Sequence, residues 1–101
     1  MSDYKELKVW EKSINLVKKI YKLVKVFPKD EACGLSVQIK RASISIPSNI
    51  AEGASRNTKK EFIQFLYISL GWASELETQL IIPKRLNIVK NIKNEIEDIT
   101  I

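Results

Sequence analysis

Leu7, Trp10, Ile14, Val17, Tyr21 and Val24 lie alternately three and four residues apart. That spacing is the a/d seam of a helix that packs lengthwise against another. Beside it runs a second apolar row, Val9, Leu16, Ile20, Leu23 and Phe27. Together the rows form an apolar face wider than a single neighbouring helix covers. A helix built in this way needs several partners, either within its own bundle or in another subunit. The same spacing argues against strands. Apolar residues recur at three and four rather than two, and neither Asn-Gly nor Asp-Gly occurs.

The rest of the chain repeats the helical pattern. Asp3 and Glu6 have capping-box spacing and mark the start of the first helix there or a few residues later. Phe27-Pro28-Lys29-Asp30 breaks the pattern, and the second helix is expected to begin near Asp30-Glu31, whose charges suit a helix N-terminus. Its stripe is Leu35, Ile39, Ala42, Ile46 and Ile50. Around the stripe lie Ser36, Ser43, Ser45, Ser48, Ala51, Gly53 and Ala54, small enough for a neighbouring backbone to come close. Pro47 removes one helical hydrogen bond and crowds the carbonyl one turn back, so a kink or short break is expected there. Thr58 and Glu61 form a capping box ahead of Phe62, Phe65, Leu66, Ser69, Ala73, Leu76 and Leu80. Tyr67 and Trp72 fall off that stripe and suggest a second contact surface. Pro83 is expected to bend or stop the third helix. A last segment, Ile88 to Ile101, aligns Ile92, Ile96 and Ile99 and would be a short fourth helix. The sequence therefore predicts an all-α chain, residues 1–101 forming one antiparallel up-down four-helix bundle with a short last helix.

A length of 101 residues suits one domain. Histidine is absent, which removes Ser-His-Asp and Cys-His nucleophiles, His-ligated zinc and Glu-x-x-His di-metal sites. The lone Cys33 makes neither an intrachain disulfide nor a structural zinc site. Its acidic neighbours Asp30 and Glu31 also oppose a lowered thiol pKa. No catalytic residue, metal or cofactor is expected, and the chain reads as a non-enzyme. Met1 to Trp10 is charged and lacks the apolar core of a secretory signal, and no lipidation motif is present. The longest uncharged stretch, Phe62 to Ser74, is too short to span a bilayer. A cytoplasmic protein without a membrane partner is the expectation.

Further residues carry a family resemblance. They are Leu7-Lys8-Val9-Trp10, Phe27-Pro28, Gln38 with Arg41-Ala42, and Ser45-Ile46-Pro47-Ser48-Asn49-Ile50-Ala51-Glu52-Gly53. Arg56, Phe62, Phe65-Leu66, Gly71 and Glu75-Leu76-Glu77-Thr78-Gln79-Leu80 continue the pattern. Over residues 4–90 the chain resembles the four-helix-bundle proteins encoded in intervening sequences of bacterial large-subunit ribosomal RNA genes. It is also similar to the accessory variability protein of diversity-generating retroelements, a basic pentamer that binds nucleic acid and a reverse transcriptase. The resemblance implies a ring-like homo-oligomer, a pentamer, with RNA or DNA and a protein such as a reverse transcriptase as further partners. Trp72 departs from the family, which has Ser after the glycine.

The net charge of +5 is unevenly spread: residues 1–29 carry eight lysines and three acids, whereas residues 61–83 carry three acids and no base. Lys5, Lys8, Lys12, Lys19 and Lys22 recur at helical spacing, with Asn15 filling the gap, and Lys18 and Lys25 flank the row. Such a ridge attracts phosphate backbones without reading sequence; its ordinary reading is a solvated face. The candidate nucleic-acid-binding residues are Lys8, Lys12, Lys18, Lys19, Lys22, Lys25, Arg56, Lys59 and Lys60, with Arg41, Lys84 and Arg85 as extensions. A polar set, Gln38, Arg41, Asn49, Glu52 and Gly53, with Glu75 and Glu77, is read as structural. Its charges are expected to be buried or interfacial, the acids partnering Arg41 or Arg56. Glu75 and Glu77, two apart on a helix, point to different faces and make no carboxylate dyad. Trp10, Tyr21, Phe62 and Phe65 read as core; Trp72 is the exception that is free to stack a base. Two functions stay open: a homo-oligomeric bundle that binds nucleic acid through the basic first helix, or a structural or protein-interaction module whose charge is incidental.

Overall fold

The computed structural model describes residues 3–87, without the side chains of residues 29–33. The expected fourth helix over residues 88–101 and the Cys33 side chain lie outside the described residues. A single 3-10 turn, Tyr4–Glu6, precedes three α-helices: α1 (Lys8–Val24), α2 (Lys29–Ala54) and α3 (Lys59–Arg85). No strand occurs among the described residues. Residues 25–28 and 55–58 connect the helices, too short to let neighbours run any way but antiparallel. The central helix, α2, packs against both others.

The first helix starts at the later of the two expected places. Asp3 accepts a hydrogen bond from the Lys5 backbone N–H at 3.0 Å and so caps the 3-10 turn, while α1 begins at Lys8. The end of the first connection is fixed by Phe27, which is buried and bonds its N–H back to the Val24 carbonyl. Pro28, in extended conformation, then sets the chain for α2.

Of the two apolar rows of α1, the second supplies most of the core, joined by Val24 at the end of the seam. The core residues of this helix are Ile20, Leu23 and Val24, with Ser13 buried beside them, and Phe27 follows in the connection. The seam residues Trp10, Ile14 and Val17 are only half-buried, and Tyr21 is exposed. α1 packs on α2, and Ile20, Leu23 and Phe27 lie in the shared core with Leu16 against it. Ile39, Ala42, Ile46 and Ile50 of α2 and Leu76 and Leu80 of α3 complete the core, as their spacing indicated. Each fully buried Ile or Leu contributes about 1.5–3 kcal/mol relative to an exposed one.

Small residues on α2 bring α3 close. A methyl group on Gly53 would sit 2.5 Å from the Cβ of Phe65. Ser43 is fully buried, and the buried Ser69 hydroxyl of α3 donates to the Ile46 carbonyl at 3.0 Å.

Neither proline ends a helix. α2 is continuous through Pro47, so the expected break is absent. The lost N–H affects one bond, and neighbouring side chains bond back to the helix: Ser45 to the Arg41 carbonyl and the Asn49 amide to the Ser45 carbonyl. Pro83 is buried in α3, which stops two residues later at Arg85. The turn there is completed by Asn87 at φ 58°, a left-handed conformation that Asn adopts more readily than most residues. Trp72 is corrected too, since it packs partly buried against the core.

Candidate functional site

Lys8, Lys12, Lys18, Lys19, Lys22 and Lys25 are all exposed. With the inward row settled, their place on α1 follows from helical spacing. α1 carries three arcs: the core row, the half-buried seam, and the lysine arc on the remaining side. Lys18 and Lys25 sit four residues beyond Ile14 and Tyr21 and border the seam. Lys8, Lys12, Lys19 and Lys22 face further away. Glu11 is the acid in the same helix.

Arg56, Lys59 and Lys60 are also exposed, in and just after the connection from α2 to α3. Because the helices run up, down and up, this connection lies at the end of the molecule where α1 begins. The second cluster therefore caps the end near Lys5 and Lys8. Arg56 bonds Glu52 at 2.7 Å and covers the Phe65 ring at 5.0 Å, which offsets part of its charge. Lys84 and Arg85, likewise exposed, lie at the opposite end.

The polar set is not buried within one chain. Gln38, Arg41, Glu52, Glu75 and Glu77 are exposed, Asn49 is half-buried, and only Gly53 is buried. Among the described residues Arg56 pairs with Glu52, and neither Glu75 nor Glu77 pairs with it or with Arg41. The exposed pair gains little stability in water, roughly 0–1 kcal/mol. Gly53 and Asn49 act locally instead, one by admitting Phe65 and the other by bonding the backbone beside Pro47.

The half-buried seam of α1 forms one wall of an open apolar groove. Tyr4, Trp10, Ile14 and Val17 face Ile44, Pro47, Ser48 and Ala51 of α2 across it. Tyr4 and Trp10 meet edge to face with ring centres 5.4 Å apart, and further along the seam the Lys40 ammonium covers the Tyr21 ring at 5.1 Å. Sequence reasoning passed over Tyr4 and the groove. The signal was the surplus width of the α1 apolar face.

The outward side of α3 is unusual in a lysine-rich chain. Ile63, Tyr67, Ile68, Leu70 and Ile82 are exposed, Tyr67 by 70% and Leu70 by 56%. The expected second surface on α3 thus contains Tyr67 but not Trp72. No group of acids and Cys capable of holding a metal ion occurs among the described residues. Nor is any described helix long and apolar enough to cross a membrane.

A sequence-family model described as 23S rRNA-intervening sequence protein matches residues 5–100. No curated protein matches the chain.

Proposed function

Because the chain belongs to the 23S rRNA-intervening sequence protein family, we propose that it acts as a non-enzymatic, homo-oligomeric helical bundle that holds nucleic acid on the basic face of α1. The observation that carries this reading is the exposed lysine arc, Lys8, Lys12, Lys18, Lys19, Lys22 and Lys25 on one helix. Ammonium groups at helical spacing neutralise successive phosphates and release their counterions, so binding follows backbone charge and not base sequence. Lys59, Lys60 and Arg56 extend the surface around the end where α1 starts. In this reading residues 88–101 form the fourth helix of the bundle, and copies assemble into a ring, a pentamer by resemblance. Repeating the arc around a ring sums its field and speeds capture of a polyanion. RNA or DNA is the primary partner, a protein such as a reverse transcriptase a further one, and the cytoplasm the compartment.

Titration of generic duplex DNA and RNA at low and moderate salt tests it. The expected result is binding at about 50 mM salt that falls by orders of magnitude towards 200 mM. Absence of binding at low salt, or affinity indifferent to salt, overturns the proposal.

A second reading, a structural or protein-interaction module with incidental charge, is favoured by the exposed apolar side of α3. Under it, the Lys12→Glu/Lys19→Glu/Lys22→Glu variant assembles and binds its protein partner unchanged.

A further inference from the structure

We propose that the polyanion held by the α1 lysine arc is a double helix, of DNA or RNA, and not a single strand. The proposal rests on the nucleic-acid reading above and names the ligand class within it. Two observations carry it: the arc is straight, and no aromatic ring stands on it.

Proteins that hold single strands combine a cationic track with aromatic rings on which successive bases stack, each worth about 1–3 kcal/mol. α1 supplies only the track. At about 100° per residue, Lys8, Lys12, Lys19 and Lys22, with the exposed Asn15 between them, fall within roughly a quarter of the helix circumference. Both aromatics of α1, Trp10 and Tyr21, lie on the opposite side, and each is engaged there. Trp10 meets the Tyr4 ring edge to face at 5.4 Å, and the Lys40 ammonium covers Tyr21 at 5.1 Å.

The remaining rings do not reach the arc. Phe27 is buried, Phe62 and Phe65 enclose Gly53, and Trp72 packs against the core. Tyr67 is openly exposed, by 70%, but it stands on α3, and α1 packs on α2. Residues 88–101 contain no aromatic residue and add no stacking surface.

The arc suits a stiff ligand. α1 is one helix of 17 residues without Gly or Pro, so its lysines keep a fixed spacing, over about 21 Å from Lys8 to Lys22 at the helical rise. A duplex is stiff over about 150 bp and carries one charge per about 1.7 Å of its axis. It meets a straight arc without first being ordered. A single strand must give up conformational freedom to follow the same line, and no stacking offsets that cost. Counterion release points the same way, at about 0.9 ion per contact for a duplex and about 0.7 for a single strand. Over four contacts that difference is about tenfold in affinity at about 50 mM salt, taken from a 1 M reference.

The experiment is fluorescence anisotropy on the full chain at about 50 mM salt, with labelled oligonucleotides of one length. The probes are a mixed-sequence DNA duplex, its RNA counterpart, and one non-self-complementary strand of each. Affinities are compared per phosphate. Each duplex is expected to bind about tenfold more tightly than its own strand, and by no less than about fivefold. A preference of that size for one duplex type alone names that type as the ligand. Tyr67→Ala, which removes the openly exposed ring, should leave every affinity unchanged. Duplex preferences below about fivefold for both types overturn the assignment alone, as does weaker single-strand binding by Tyr67→Ala. Failure to bind any of the four probes overturns the nucleic-acid reading and this assignment with it.

Discussion

Gly53 and Gly71 are both helical, and an added methyl group has opposite consequences at the two. At Gly53 it would lie 2.5 Å from the Phe65 Cβ and 3.2 Å from ring atoms of Phe62 and Phe65. Overpacking of that kind costs about 1–3 kcal/mol, more than the roughly 1 kcal/mol by which Ala outranks Gly in a helix. Gly53→Ala should therefore lower the stability measured by urea unfolding. At Gly71 nothing lies within 4 Å of the added carbon. Gly71→Ala should raise stability by about 0.5–1 kcal/mol in the same assay. Ser69→Ala deletes the hydroxyl that bonds the Ile46 carbonyl in the core and should cost about 1 kcal/mol. The need for small residues on α2 was legible, since so many Ser, Ala and Gly crowd one stripe. The role of Trp72 was not. Its spacing put it off the α3 stripe, but a large ring reaches the core from the flank.

At the level of helices, the sequence located the elements well and left the orientation of one of them open. Thr58 and Glu61 marked the start of α3, and the Thr58 hydroxyl accepts from the Glu61 N–H at 3.2 Å and also bonds its carboxylate. Thr58→Ala should destabilise the fold by about 1 kcal/mol, measured by thermal or denaturant unfolding, because a first-turn N–H loses its acceptor. The orientation of α1 was not legible. Two apolar rows satisfy the same helical period, and only the packing of the assembled helices decides which residues enter the core. Pro47 and Pro83 show the converse. Each disrupts a local bond, yet each is buried and held within a helix whose faces are packed. Nor was the exposure of Arg41, Glu52 and Arg56 within a single chain legible, for a similar reason. A charge on a helix of small residues looked enclosed, whereas it lies on the side that neither neighbour covers.

Across the whole molecule, 45 Å long and about 20 Å across, charge is separated by element. The bases gather mainly on α1 and at the two ends of α3, while residues 61–83 between those ends carry three acids and no base and expose an apolar side. That division was plain in the sequence. The groove emerged only when the helices were assembled, whereas Tyr67 had already marked the exposed side of α3. The account stands on α1 being the face that meets a polyanion. The most direct test is the salt dependence of duplex DNA binding, comparing wild type, Lys12→Glu/Lys19→Glu/Lys22→Glu on α1 and Lys84→Glu/Arg85→Glu at the far end. Each phosphate contact contributes about 0.9 to the slope of log affinity against log salt. The α1 variant should lose binding at every salt concentration and flatten the slope by about 2–3 units, whereas the far-end variant should change it by less. Equal slopes for wild type and the α1 variant would contradict the account.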